Sequence, residues 1–347
     1  MTLAELGWDA EWARAFGPWA ALPGLQPARV AIEFNHIFRV SIEGRDLDAS
    51  TTGRLKHRTV RRSELPAVGD WVALEIRPQG DTGAIVGVLP RRSWFSRKAA
   101  GSVTGEQIVA ANVDVIFVVM ALDADYSLRR LERYLLLARE SGAAPVVLLT
   151  KPDLAEDADA RASEAAIVAG DAPVHVLTPK MNIGLEQVDG YLKPGKTAAL
   201  LGSSGVGKST IINRLVGGER QRTREVREAD SKGRHTTSHR ELILLPRGGL
   251  IIDTPGMREL QLWDVSDAVR DTFDEVVALA GGCHFTNCRH RNEPRCAVKA
   301  AVEAGALTAD RLESYLKLQD EMAQLERQQD ERALLDEKRR SRRPGGG

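Results

Sequence analysis

The sequence has few cysteines, few aromatic residues and no long hydrophobic run. All three cysteines among its 347 residues lie between positions 283 and 296, so they cannot cross-link a secreted scaffold. No window reaches the roughly 18 uncharged apolar residues that a membrane-spanning helix needs. Residues 1–17 also lack the basic and apolar regions of a secretory signal. We therefore expect a cytoplasmic protein with no membrane partner.

The balance of 48 basic and 48 acidic side chains hides an uneven distribution of charge along the chain. After a short lead-in at residues 1–27, residues 28–98 hold 13 basic and eight acidic side chains. Five short runs in that range predict the strands of a small OB-like barrel; they read RVAIEF, IFRVSIEG, GRLKHRTV, DWVALEIR and GAIVGVLP. A basic barrel is suited to bind RNA. The candidate RNA-binding residues are Arg54, Lys56, Arg58, Arg61 and Arg62.

Beyond a predicted linker at residues 91–107, continuous apolar runs alternate with helical patterns. Such runs are typical of strands buried on both faces of a parallel sheet; they cover residues 113–122, 145–150, 174–177, 197–202 and 249–254. The pattern predicts an α/β domain at 99–264. From 265 to 347 the chain is predicted to be helical, with a Cys/His cluster and a basic tail.

The most specific motif is the phosphate loop GSSGVGKS at residues 202–209, which follows a predicted strand and precedes a predicted helix. Its glycines let successive backbone N–H groups converge on phosphate oxygens. Lys208 would contact the β- and γ-phosphates, and the hydroxyl of Ser209 would bind Mg²⁺. The predicted phosphate-binding residues are Gly202, Ser203, Ser204, Gly205, Val206, Gly207, Lys208, Ser209 and Thr210.

Two further segments are candidates for sensing the terminal phosphate. Asp253 ends an apolar run and could hold Mg²⁺ through water, while the N–H of Gly256 could approach the γ-phosphate. In the polar segment 217–240, Thr237 is our first candidate for a threonine that closes on Mg²⁺, and Thr236 is the second.

Recognition of guanine is predicted at Thr150, Lys151 and Asp153. A carboxylate can accept hydrogen bonds from guanine N1 and N2, whereas adenine has no matching donors and would leave the Asp153 carboxylate unpaired. This makes an ATPase the weaker alternative. Lys151 would lie over the base and ribose, and the turn from Thr178 to Lys180 could contact guanine O6.

These motifs occur in a rotated order. A small GTPase usually runs from phosphate loop to switch threonine, DxxG and then the guanine motifs, but here the two guanine motifs come first. Circular permutation moves the termini while keeping the sheet and its loops together. The expected fold is therefore a circularly permuted P-loop GTPase domain.

A second constellation is formed by Cys283, Cys288, His290 and Cys296. Three thiolates and one imidazole are typical of a closed tetrahedral Zn²⁺ site, and closed sites are structural. His284 is a spare candidate ligand. A redox role for the thiols is disfavoured because no CxxC pair occurs.

Together, TKPDL, GSSGVGKST, GRHTT, DTPGMREL and CHFTNCRHRNEPRC resemble the circularly permuted, ribosome small-subunit-dependent GTPase A (RsgA-type) family. The resemblance implies an N-terminal OB fold, a permuted GTPase domain and a C-terminal zinc domain. It also implies GTP hydrolysis stimulated by the 30S subunit, binding to 16S rRNA, and a role in late maturation of that subunit. We expect a monomer that binds the subunit with GTP and leaves with GDP.

The residue after DTPG is Met257, where many GTPases have a water-orienting glutamine. A thioether cannot orient water through a strong hydrogen bond, so slow intrinsic turnover is predicted. His235 is the nearest candidate replacement, and the resemblance points to the same position. An alternative, favoured by Met257, is an rRNA-binding assembly scaffold in which the nucleotide is mainly structural.

Overall fold

The computed structural model describes residues 1–34, 37–59, 61–78, 80–98, 106–123, 126–203, 205–217, 240–253, 273–285, 287–309, 311–317, 319–320, 323 and 327. The described residues up to 253 form one compact unit, and those from 273 form a second. No helix in these ranges is both long enough and apolar enough to cross a membrane.

The first unit begins with a closed five-stranded barrel. Its strands are β1 (Leu25–Phe34), β2 (Ile37–Ile42), β3 (Arg45–Thr51), β4 (Trp71–Ile76) and β5 (Thr82–Val88). They pair in the order β1-β2-β3-β5-β4, and β4 closes the barrel by pairing back to β1. Inward-facing apolar side chains from all five strands fill the interior, including Val30, Val40, Leu47, Leu74 and Ile85. The predicted barrel is confirmed.

One of its predicted strands is wrong. GRLKHRTV lies outside the sheet: Gly53–Arg58 forms helix α2, and the third strand is the preceding run Arg45–Thr51. The cause is local, because Thr52 caps the helix by accepting a hydrogen bond from the Leu55 N–H. Alternating basic residues gave this segment the period of a strand, but the cap starts a helical turn.

The predicted linker at 91–107 is also wrong over much of its length. Trp94–Lys98 forms strand β6, which pairs antiparallel with β7 (Glu106–Ala111) in a separate two-stranded sheet. Phe95 on β6 and Ile108 on β7 are buried, so these two strands are packed within the folded unit instead of forming an exposed linker.

A mainly parallel sheet follows, as predicted. Its strands are β8 (Val115–Ala121), β9 (Ala144–Thr150), β10 (Val174–Leu177), β11 (Thr197–Leu201), β12 (Arg240–Leu244) and β13 (Leu250–Asp253). Helices α3 (Leu128–Glu140), α4 (Ala158–Ala169), α5 (Leu185–Asp189) and α6 (Lys208–Val216) connect or follow these strands. The parallel order β10-β9-β8-β11-β13 brings the carboxyl ends of all five strands to one edge.

Strand β12, which the sequence patterns did not reveal, joins the two sheets. It runs antiparallel to β13 on one side and to the end of β1 on the other, where Ile32 pairs with Glu241. A register shift between Val30 and Ile32 lets β1 leave the barrel and continue into the parallel sheet. Within the described residues, the barrel and the α/β half therefore share one continuous eleven-stranded sheet.

The N-terminal lead-in is packed against this junction. Helix α1 (Ala10–Ala20) is capped by Asp9 and buries Trp12 and Phe16. Asp9 also pairs with Arg92 at 2.7 Å, and the Arg92 guanidinium lies 4.2 Å from the centre of the Trp12 ring. These contacts make the lead-in part of the folded unit rather than an appendage.

Arg29, in the middle of β1, is a fully buried charge at the same junction. Its guanidinium donates to the carbonyls of Leu6, Gly69 (3.3 Å) and Asn112 (3.2 Å) and to the hydroxyl of Thr197 (2.8 Å). One side chain thereby ties together the lead-in, the barrel and the amino end of the parallel sheet. Burial lowers the pKa of Arg29 to about 10, so it remains charged at neutral pH.

The second unit is small and helical. It contains α7 (Asp274–Ala280) and α8 (Ala297–Glu303), and residues 311–317 are helical too. Phe273 is its aromatic centre, packed edge-on against Tyr315 and covered by the guanidinium of Arg311 at 4.2 Å. The Cys/His cluster lies between α7 and α8.

Candidate functional site

The phosphate loop lies where β11 ends and α6 begins. Gly202 must be glycine, because a Cβ there would collide with the carbonyl oxygen of Val119. Gly207, with φ of 103°, precedes the first helical residue, Lys208. The Lys208 ammonium donates to the loop carbonyls of Gly202 (2.8 Å) and Ser203 (2.5 Å). The loop therefore places a positive charge and the N-terminus of a helix at one point, a combination that suits phosphate.

The predicted guanine loop is bonded directly to the phosphate loop. The Thr150 hydroxyl, at the end of β9, donates to the carbonyl of Val206 at 2.6 Å. Asp153 follows Thr150 by three positions along the chain, and Lys208 follows Val206 by two. Asp153 lies in the 3₁₀ turn Pro152–Leu154 and is exposed to solvent. The structure thus brings the two motifs to the same edge of the sheet.

The turn after β10 is also attached to the phosphate-loop helix. Pro179–Met181 forms a 3₁₀ turn closed by a bridge between Thr178 and Ile183. Arg214 in α6 donates to the carbonyl of Lys180 at 2.8 Å. The loop after β9 is therefore hydrogen-bonded to the phosphate loop, and the turn after β10 is hydrogen-bonded to the helix that follows the phosphate loop.

Asp253 ends β13, which is parallel to β11, so this carboxylate lies at the same sheet edge as the phosphate loop. Ser209 and Thr210 lie in the first turn of α6, and Ser209 is exposed. The other predicted members of the site lie outside the described residues; they are Ser204, His235, Thr236, Thr237, Gly256 and Met257.

The site includes two charged residues that no sequence pattern predicted. Arg130, in the first turn of α3, donates to the Ser203 hydroxyl at 2.8 Å. Asp123, two residues beyond β8, pairs with the Lys151 ammonium at 2.8 Å. Neither belongs to a motif, and both reach the site only because β8 lies between β9 and β11 in the sheet.

The Cys/His cluster in the second unit has the dimensions of a metal site. Its four ligand atoms all lie within 4.8 Å of one another. The Cys283 and Cys296 sulfurs are 3.9 Å apart, and His290 Nδ1 is 3.5 and 3.4 Å from them. A tetrahedron with metal–sulfur bonds of about 2.3 Å has sulfur–sulfur edges of about 3.8 Å. These four residues therefore fit a tetrahedral metal ion.

The surroundings of the cluster also favour metal binding. Burial lowers the pKa of His290, so its ring is neutral at neutral pH and Nδ1 can act as a ligand. Glu293 shapes the loop by accepting hydrogen bonds from the backbone of Arg289, Arg291 and Asn292 at 2.9–3.1 Å. His284 lies outside the cluster, exposed and edge-on to Phe285.

The five candidate RNA-binding residues are all exposed on the segment between β3 and β4; they are Arg54, Lys56, Arg58, Arg61 and Arg62. Arg91 anchors this segment by donating to the carbonyls of Ser63 (2.5 Å) and Leu65 (2.8 Å). Arg91 is itself paired at 2.7 Å with Asp70, a fully buried carboxylate whose burial raises its pKa. Arg91 thus anchors the part of this segment that directly follows Arg61 and Arg62.

Comparison with known proteins gives consistent matches along the chain. A family model described as RsgA GTPase matches residues 88–263, and one described as 50S ribosome-binding GTPase matches residues 197–333. The small ribosomal subunit biogenesis GTPase RsgA of Opitutus terrae is 50% identical over 95% of this chain and 92% of its own length. The protein of the same name from Methanosarcina acetivorans is 44% identical over 91% of this chain and 84% of its own.

Solved structures agree with these matches. YjeQ from Thermotoga maritima is similar with a TM-score of 0.63 and 26% identity, over 86% of this chain and 99% of that one. YloQ, described as a circularly permuted GTPase, has a TM-score of 0.61 at 24% identity and covers 86% of this chain and 96% of its own, a likeness of fold alone.

Proposed function

The chain belongs to the RsgA GTPase family and is a GTP-hydrolysing enzyme, and we propose that it acts in the late maturation of the small (30S) ribosomal subunit. In this proposal the protein binds the subunit with GTP and is released after hydrolysis. The hydrogen bond from Thr150 to Val206 is the observation that carries it, because it joins the predicted base-reading loop to the phosphate loop. One nucleotide can then contact both.

In the proposed site, Lys208 and the N–H groups at the start of α6 bind the β- and γ-phosphates. Asp153 accepts hydrogen bonds from the guanine base, and the turn at Lys180 approaches its O6 atom. Ser209, Thr237 and, through water, Asp253 would hold Mg²⁺, which offsets negative charge on the transferring phosphoryl group. Met257 stands where many GTPases have a water-orienting glutamine, and its thioether cannot form a strong hydrogen bond. In this proposal His235 orients the attacking water instead.

The metal in the second unit is proposed to be a single structural Zn²⁺. Three thiolates and one imidazole leave no open position for substrate, and the donor set is the one that zinc prefers. All three cysteines are free thiols. Since such a site needs reduced cysteines, it supports a cytoplasmic location, and we propose a monomer whose macromolecular partner is the subunit.

The exposed basic loop between β3 and β4 is proposed to contact 16S rRNA. Five cations on one anchored loop can neutralise several phosphates at once, and binding should weaken steeply as salt is raised. Replacing Arg54, Arg58 and Arg61 together with alanine should reduce binding to small subunits. Arg247, which is exposed elsewhere and paired with Asp189, supplies the matched control substitution.

The decisive test is sedimentation of the protein with purified small subunits, with GDP and with a non-hydrolysable GTP analogue. We expect co-sedimentation with the analogue and release with GDP. Single-turnover hydrolysis measured with and without subunits should show strong stimulation, which His235→Ala should abolish while basal turnover persists. Equal binding in both nucleotide states and no stimulation would instead favour the rRNA-binding scaffold.

A further inference from the structure

Lys151, in the predicted guanine loop, has an unusual backbone conformation. Its φ and ψ are 56° and 47°, the left-handed region that residues other than glycine, asparagine and aspartate rarely adopt. This conformation costs free energy, so the surrounding structure must hold it in place. Part of that support is the preceding residue, Thr150, whose hydroxyl bonds to the phosphate loop.

The side chain of Lys151 is also held in place, by an ion pair. Its ammonium donates to the Asp123 carboxylate at 2.8 Å. The pair is only partly exposed, with 33% of the Lys151 side chain and 23% of the Asp123 side chain accessible. Water therefore screens the attraction less than it would at an open surface.

Asp123 is in turn fixed from a third element. Arg161 in α4 donates to the carbonyls of Leu122 (3.0 Å) and Asp123 (3.2 Å). The guanidinium also lies 5.4 Å from the Tyr126 ring centre, and the Tyr126 hydroxyl donates to the Arg161 carbonyl at 2.7 Å. The loop after β8 is thus clamped to α4, and its carboxylate is aimed at the guanine loop.

We propose that Asp123 is a positioning residue for guanine nucleotides, acting through Lys151. By holding the ammonium at the end of β8, Asp123 keeps the four-carbon stem of Lys151 in the orientation in which it covers the base. A lysine without this partner would have to lose its rotational freedom each time a nucleotide bound. This inference rests on the proposed function, since it assigns Lys151 to the base side of the site.

The role predicts a distinctive kinetic pattern. Asp123→Asn keeps the size of the side chain but removes its charge. We expect dissociation of both GDP and a GTP analogue to accelerate by about 5- to 10-fold. This is more than the loss of an exposed ion pair would cause and less than the loss of a buried one, because the pair is only partly exposed. Both nucleotides should be affected equally because the base is common to them.

The test is a double-mutant cycle read by the dissociation rate of a fluorescent GDP. If Asp123 acts through Lys151, then Asp123→Asn should not accelerate dissociation further in a protein that already carries Lys151→Met. Asp123→Glu keeps the negative charge, so its dissociation rate should stay close to that of the unmodified protein. Asp123→Ser is measured in parallel so that the cycle does not depend on one substitution. Additive effects in the cycle, or unchanged dissociation in all Asp123 variants, would overturn the proposal.

Asp114 supplies a matched control at the opposite end of β8. It forms an ion pair of the same length, 2.8 Å, with Lys196. Asp114→Asn should lower stability without changing nucleotide dissociation, and equal acceleration by both variants would mean that Asp123 has only a structural role. Failure of the unmodified protein to bind guanine nucleotides would overturn the proposed site as a whole, whereas tight binding with an additive cycle would overturn only the role of Asp123.

Discussion

Replacing Arg29 with methionine tests whether the barrel and the parallel sheet fold as one body. Methionine fills much of the same volume but cannot donate a hydrogen bond. In the native protein the guanidinium satisfies four acceptors contributed by Leu6, Gly69, Asn112 and Thr197. The Gly69 carbonyl keeps a second donor, the Asn112 side-chain amide at 3.1 Å. The other three acceptors lose the donor that Arg29 provides.

The size of the effect follows from these contacts. An orphaned buried acceptor costs about 1–3 kcal/mol, while methionine avoids the desolvation penalty that the buried guanidinium carries. We therefore expect a net loss of about 3 kcal/mol, near the lower end for breaking a buried charged network. Arg39→Met is the matched control: its pair with Asp48 is about half exposed on both sides, so less than about 1 kcal/mol should be lost.

The assay should follow the two halves of the first unit separately during urea unfolding. Tryptophan fluorescence reports mainly on the barrel side, because Trp8 and Trp12 both contact Trp71 there. Release of a fluorescent GDP reports on the phosphate-loop side. The two transitions should coincide in the unmodified protein and separate in Arg29→Met, with the barrel unfolding first. Coincident transitions with a loss below about 1 kcal/mol in the variant would show that Arg29 does not hold the two halves together.

Two further predictions concern the ion pair of the lead-in and the metal cluster. The Arg92 side chain, through its hydrogen bond, lowers the pKa of Asp9 from 3.8 to about 2, so the ionised form stabilises the fold above pH 4 and this contribution is lost as pH falls towards 2. The full shift corresponds to roughly 2.5 kcal/mol, but 49% of the Asp9 side chain is exposed and solvent screens the pair. Urea titration should therefore show Asp9→Asn to be about 1 kcal/mol less stable at pH 7, and the difference should shrink as the pH falls through the folded pKa of about 2. For the cluster, elemental analysis should find one zinc per chain, and chelation or Cys288→Ser should make the region after residue 273 sensitive to protease while GDP binding persists. Retained protease resistance after complete loss of zinc would contradict a structural metal.

The sequence predicted best those features whose chemistry is local. The phosphate loop needs glycines at fixed spacing before a helix, and the metal cluster needs four ligands within fourteen residues, so each leaves a compact signature. Buried strands such as β8 and β9 were recognisable as continuous apolar runs. The roles of individual site residues and the domain limits at 28–98, 99–264 and 265–347 stay predictions.

The missed features depend on contacts between distant segments. Arg29 reads as an ordinary basic residue of a barrel strand, and only the folded chain places it against Thr197, 168 positions away. Asp123 is likewise one acidic residue in a loop until the sheet order brings it to Lys151. Strand β12 was hidden because it follows a polar segment and its pairing partner β1 begins more than 200 residues earlier. No local pattern encodes such pairings.

The course of β12 has a mechanical consequence. Asp253 lies opposite Glu241 across β13 and β12, and Glu241 lies opposite Ile32 across β12 and β1. Only β12 therefore lies between β13, which ends at the predicted magnesium site, and the barrel strand β1. Arg240 reinforces the pairing of β12 with β1 through an ion pair with Glu33 at 3.7 Å. Hydrogen-bonded strands move together more readily than elements joined by a flexible linker, because displacement of one breaks a ladder of bonds. A shift of β13 at Asp253 would therefore have to be accommodated by β12 and by the barrel strand beside it.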